Sequence, residues 1–251
     1  YFIISIISIH SYISIFISIG LMEEKIKFIN SLVVPTFFLL LLWLIKCLEF
    51  LFEFDLFFLG LYPRKILGLA GIITAPLIHG SFTHLLSNTF PLIILGGGML
   101  YFYRKVAYEV FFWIYILSGL WVWMAARPVY HIGASGLIYG FASFLFFSGV
   151  FRRDRRSMAI SLLIIFIYGG MIWGILPLRE GISWESHLAG GIAGILCAFY
   201  FRKVVIPREY DWEEEDENTD YTDEDTDYTD ESESMKFKYI YTPDKKVKSK
   251  K

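Results

Sequence analysis

The chain has 251 residues, 55% of them hydrophobic and 19% aromatic, with a formal net charge of −2. The apolar residues come in runs of about 20, the thickness of a bilayer core in helical residues, which excludes a single soluble domain. The short alternating segments of a membrane β-barrel are absent, so the composition predicts an all-α, polytopic membrane protein.

The net charge hides a division. Asp211 to Glu233 holds 14 of the 25 acidic residues and no basic one, leaving 23 basic residues against 11 acidic elsewhere, a formal +12 that suits a body seated on anionic lipid. Two cysteines, Cys47 and Cys197, provide neither a disulfide framework nor a metal-binding spacing.

Residues 1–27 form a leader. Its first twenty are a low-complexity Ile/Ser/Tyr/Phe stretch without the basic flank or small-residue cleavage site of a signal peptide. Met22-Glu23-Glu24-Lys25 reads as a natural start, so residues 1–21 are expected to be either sequence foreign to the protein or an additional hydrophobic anchor. The first clear span runs over 28–45. Residues 47–63 are apolar but interrupted by Glu49, Glu53 and Asp55, and acids at that density predict an interfacial first loop or helix rather than a second crossing. Further spans follow at 84–103, 106–126, 133–151, 158–177 and 185–201. Together 28–205 make a six-helix domain, followed by a tail over 206–251 that is first acidic and then Lys-rich. The tail has too few aliphatic residues to bury a core and is expected to be disordered.

Basic residues set the orientation. Arg104 and Lys105 lie between spans two and three, Arg152, Arg153, Arg155 and Arg156 between four and five, and Arg202, Lys203 and Arg208 after six. The opposite loops hold fewer. Both termini are therefore expected in the cytoplasm, and spans two, four and six each enter from the outer face.

Polar groups inside spans are costly and mark sites. His84 and Asn88 share one face near the start of span two, Ser135 opens span four within Gly133-Ala134-Ser135-Gly136, and His187 opens span six. Topology puts all of them at one depth. Gly136 and Gly140 on span four, and Gly190 and Gly194 on span six, are paired at a spacing of four, which lets two helices meet backbone to backbone. A Ser and a His at that level predict acyl transfer. His187 takes the Ser135 proton while His84, Asn88 and the Ser135 amide donate to the oxyanion. Glu185, two residues from His187, points to another face, so a dyad is expected rather than a triad. His79 is read as a structural loop group, and His131 and His10 receive no role.

At these residues the chain resembles the rhomboid family of intramembrane serine proteases. The resemblance rests on His79-Gly80-Ser81-Phe82-Thr83-His84-Leu85-Leu86-Ser87-Asn88, on Gly133 to Gly136, and on Ser183-Trp184-Glu185-Ser186-His187 running on to Gly190 and Gly194, in the family's order and helices. It covers roughly residues 30–205. It implies a rhomboid-like bundle of six transmembrane helices in which Ser135 is the nucleophile, His187 the base and Tyr139 a ring stacked on His187. Gly96 and Gly97 would be the pair closing the second helix. The implied activity cleaves transmembrane helices of substrate proteins near their outer ends. No cofactor or metal is expected, the partners are membrane-protein substrates and the lipid bilayer rather than nucleic acid, and the location is the bacterial inner membrane. A rhomboid-like pseudoprotease that binds without cutting is the alternative; loss of Ser135 or His187 would mark it, and both are present. Two departures stand out: the Trp-Arg pair of the family's first loop is missing between Pro63 and His79, and Leu100 lies near the place of the usual glutamate.

Overall fold

Apolar runs of this length satisfy their backbone polar groups only as helices, and the chain obeys. The computed structural model describes residues 2–178 and 181–205, with side chains from Gly20 onward. It consists of α1 (Phe2–Leu51), a short α2 (Gly71–Thr74), α3 (Phe82–Phe102), α4 (Ala107–Ala125), α5 (Ser135–Arg152), α6 (Arg155–Tyr168) and α7 (Trp184–Tyr200), joined by 3-10 turns. Residues 206–251, and with them the expected disordered tail, lie outside the described residues.

Helix ends follow local chemistry. Ser81 caps α3 by accepting from the His84 amide at 3.0 Å, and Asp154 caps α6 by accepting from the Ser157 amide at 2.9 Å. Arg153, at φ 58°, ends α5 in the left-handed conformation. Among the described residues, five helical stretches are long and apolar enough to cross a membrane: Gly20–Leu51, α3, α4, α5, and α6 with its 3-10 continuation to Ile175. The sixth expected span, α7, has 17 residues, a rise of about 25 Å that falls just short of a full bilayer core. Outward-facing Phe37, Leu40, Phe112, Leu162 and Phe166 are exposed, as lipid solvation requires.

The first span differs from its sequence boundaries. α1 is one continuous helix from Phe2 to Leu51, running through the charged 23–27 stretch and past Pro35. The first five residues of the expected interfacial region, 47–51, are therefore helical, and residues 52 onward form the loop. Glu49 explains the join: it is buried, pairs with Lys46 at 3.3 Å and accepts from the Leu56 amide at 2.9 Å as the chain turns back. The loop itself exposes Phe52, Phe58, Ile66 and Leu67 beside Glu53, Asp55, Arg64 and Lys65, the mixture that suits a headgroup interface.

Without the Trp-Arg pair, this loop is held by other groups. Leu61 and His131 exchange backbone hydrogen bonds at 3.0 and 2.8 Å. Arg64 donates to the Ala126 carbonyl at 2.8 Å, and the Trp123 indole donates to Lys65 at 2.9 Å. The first loop is thus sewn to the end of α4 and to the segment leading into α5.

Two glycine contacts set the helix positions. Gly96 and Gly97 do not close α3; they lie inside it and admit α1, where a Cβ would stand 3.2 Å from Pro35 Cγ and 2.7 Å from Leu32 Cδ2 respectively. More extensive is the packing of α5 against α7, the largest helix–helix contact of the fold. A Cβ on Gly190 would collide with the Gly136 carbonyl, and one on Gly194 with the Gly140 carbonyl, so the two backbones touch. Replacing Gly190 by Val should cost about 2–3 kcal/mol or more by forcing these helices apart. Gly170→Ala, where a Cβ meets nothing within 4 Å, should stay within about 0.5 kcal/mol of the wild type. Midpoints of unfolding in detergent check both.

Candidate active site

The loop before α5 must deliver Ser135 to the start of a buried helix. It does so with Gly133 at φ 105°, a conformation suited to glycine, anchored by its amide on the Ala75 carbonyl at 2.8 Å. Ser135 then faces α7, and its Oγ lies 2.9 Å from His187 Nε2. The other ring nitrogen, Nδ1, lies 2.8 Å from the Gly174 carbonyl. A carbonyl only accepts, so Nδ1 carries the hydrogen and Nε2 is left bare to accept from the Ser135 hydroxyl. Tyr139, one turn beyond Ser135, lies parallel to the imidazole at 4.2 Å and 7°, and its hydroxyl donates to the Met171 carbonyl at 2.8 Å.

Gly174 and Met171 belong to the 3-10 turn Gly169–Ile175 that continues α6. A Cβ on Gly174 would collide with the Tyr139 hydroxyl and lie 3.2 Å from His187 Nδ1. That turn therefore takes the orienting part that an aspartate plays in a Ser-His-Asp triad. Nothing in the sequence pattern around Gly174 reveals this role, because it is exercised by a backbone carbonyl.

His84 and Asn88 meet the segment leading to Ser135 at Gly133: a Cβ there would lie 3.0 Å from His84 Nε2 and 3.8 Å from Asn88 Nδ2. Ser135, Tyr139, His187, His84 and Asn88 all line one open cavity of about 870 Å³. The starts of α3, α5 and α7 thus converge on it, whereas Gly136, Gly190 and Gly194 stay behind as the packing surface that lets them converge. Among the described residues, no three His, Cys, Asp or Glu side chains gather as a metal ion would require.

Against this geometry the comparisons are decisive for kinship. The family model described as Rhomboid domain matches residues 68–204. The chain belongs to the rhomboid family. An uncharacterised protein of Mycobacterium tuberculosis is 38% identical over 175 residues, covering 64% of this chain and 71% of its own, and one of Mycobacterium leprae is 33% identical over 175 residues, covering 64% and 68%. A Bacillus subtilis protein provisionally named as a rhomboid protease is 27% identical over 138 residues, covering 51% of this chain and 65% of its own. With its apolar helices, this rhomboid is an integral membrane protein.

A second cluster in this rhomboid escaped the reading of the sequence. Glu185 does point away from His187, toward Arg127, whose guanidinium donates to it through Nε and, at 3.1 Å, Nη2. His131 is buried beside this pair. Its Nε2 lies 3.1 Å from the Arg127 carbonyl and so carries the hydrogen, leaving Nδ1 to accept from the Ser183 hydroxyl at 2.6 Å. Ser183 also meets Ser186 Oγ at 2.6 Å. This chain joins the loop leading to Ser135 to the cap of the helix carrying His187. The signal was a polar loop, Arg127 to His131, facing a Ser-Trp-Glu-Ser cap; pairing them needs the fold.

The two buried loop histidines give the protein a pH dependence. Burial pushes His79 down to about 3, helped by the neighbouring charges of His84 and Lys46, and burial also holds His131 below its ordinary value despite the Arg127 carbonyl. In the unfolded chain both titrate near 6.5. The unfolded state therefore binds more protons as pH falls from about 6.5 toward 3, and stability present above 6.5 is lost through that window, at up to about 1.4 kcal/mol per pH unit and histidine. Melting in detergent should fall on acidification from pH 6.5 to 5, and His131→Asn should make that slope shallower.

Proposed function

We propose that this rhomboid is an intramembrane serine endopeptidase that cuts transmembrane helices of substrate proteins. The observation that carries the reading is the Ser135–His187 pair, at 2.9 Å with the base's tautomer fixed by Gly174. His187 Nε2 takes the hydroxyl proton as Ser135 Oγ attacks the scissile carbonyl, and a tetrahedral oxyanion forms. The imidazolium then returns the proton to the leaving amine, which departs and leaves an ester on Ser135. Water, deprotonated in turn by His187, hydrolyses that ester. The oxyanion draws on His84, Asn88 and the Ser135 amide, a well-placed donor contributing roughly 3–4 kcal/mol to the transition state.

Orientation follows from the basic end of the bundle. Arg152 donates to the Phe201 and Val204 carbonyls, and Arg156 lies over Phe102, so the ends of α3, α5 and α7 meet there, opposite the cavity. Arg104, Lys105, Arg153 and Lys203 belong to the loops and turns at that end. By the positive-inside rule it faces the cytoplasm, both termini with it, and the dyad lies toward the outer surface. Substrate helices are then cut near their outer ends, after local unwinding exposes a carbonyl. The mycobacterial and Bacillus relatives make the bacterial inner membrane the expected location.

The test is cleavage of a reporter transmembrane substrate in liposomes. Ser135→Ala and His187→Ala should each lose at least about a thousandfold in rate, and His84→Ala and Asn88→Ala about a hundredfold. Activity should also fall on acidification, since a protonated Nε2 cannot accept the serine proton. Equal cleavage by all variants would refute the dyad, and a folded wild type that never cleaves would favour a pseudoprotease.

A further inference from the structure

Beyond the dyad, His79 is a fully buried imidazole in the loop before α3, 1% exposed and 3.0 Å from the side-chain amide of Asn88. We infer that His79 is a positioning residue of the oxyanion site: it holds the Asn88 amide in the one orientation that can donate to the transition state. The inference rests on the proposed serine-protease reading.

His79 Nε2 faces two groups, the Asn88 amide and the backbone N–H of Ala134 at 3.4 Å. A backbone N–H can only donate, so Nε2 presents a lone pair and the ring hydrogen resides on Nδ1, a buried atom with no hydrogen-bond partner among the described residues. The Asn88 group against that lone pair must then be its NH2. Turned the other way, the amide would set a carbonyl oxygen against a nitrogen lone pair in a buried site, where an unpaired acceptor is costly. With the orientation fixed, one Asn88 hydrogen is held by His79 and the second is free for the cavity, which Asn88 lines together with Ser135.

The same nitrogen binds the residue immediately before the nucleophile. His79 thereby sets the distance between the oxyanion donor on α3 and the start of α5 through a single atom. A donor arranged in advance needs no reorganisation when charge develops, and this is where its catalytic value lies. The groups around His79 agree with a neutral ring: His84 lies edge-on at 5.1 Å between centroids, and Lys46 at the end of α1 is paired with Glu49.

The experiment measures kcat and KM for the reporter with His79→Leu and His79→Gln, each in the wild-type and Asn88→Ala backgrounds, with the folded fraction of every variant checked by detergent melting. His79→Leu should lower kcat ten- to a hundredfold with KM changed less than about threefold. Gln, which offers a neutral acceptor, should recover most of that loss. In the Asn88→Ala background, His79→Leu should cost less than about threefold more, because the donor it orients is gone. If Leu leaves kcat unchanged, or if its full loss recurs without Asn88, the positioning role is overturned. Should His79→Leu not fold, His79→Asn, whose shorter amide cannot reach both partners, carries the same comparison. A wild type inactive toward the reporter and unreactive at Ser135 overturns the protease reading instead.

Discussion

Everything at the site depends on the contact of α5 with α7 through bare backbone. Gly136 and Gly140 face Ser186, Gly190 and Gly194 with carbonyl oxygens where side chains would stand. Apolar side chains drive no helix association in lipid, so helices held this way rely on close van der Waals approach. Only at that separation can a serine at the start of one helix reach a histidine at the start of the other at 2.9 Å. The glycines thus act through packing rather than chemistry, and the cavity lies where the starts of α3, α5 and α7 converge.

Around that contact, the protein assigns protons with backbone groups. The Gly174 carbonyl sets the tautomer of His187, the Arg127 carbonyl that of His131, and the Ala134 N–H the lone pair of His79. In a site with low dielectric, each of these choices is enforced more strongly than water would allow, and each ring nitrogen has one role. Among the described residues no carboxylate touches His187; Glu185 serves as a clasp on Arg127, joining the two segments that carry Ser135 and His187. The absent Trp-Arg pair is offset in the same economical way, with Arg64, Trp123 and the Leu61–His131 bridge holding the first loop.

What was legible in the sequence was whatever repeats or costs energy locally. Helix positions followed from apolar length, with starts and ends within a few residues for α3, α4, α5 and α7. Ser135, His187, His84 and Asn88 stood out because polar groups in spans need a reason. The first span ran past its expected end because Glu49, taken for a breaker, is buried by pairing with Lys46 and capping Leu56. Gly96 and Gly97 were read as a helix terminator, whereas they are a seat for Leu32 and Pro35. Gly174 and His131 were illegible for a shared reason: each acts through partners dozens of residues away or through backbone atoms, and neither leaves a local pattern.

The central claim is that packing alone makes Ser135 a nucleophile by bringing a correctly protonated His187 to it. Its most direct measurement is reaction of the purified protein with a fluorophosphonate, the modified residue mapped by mass spectrometry. The account predicts a single adduct on Ser135, strongly diminished when His187 is replaced by Ala and when Gly190 is enlarged to Ser in a variant that still folds. Adducts on Ser135 at the wild-type rate in either variant would contradict it.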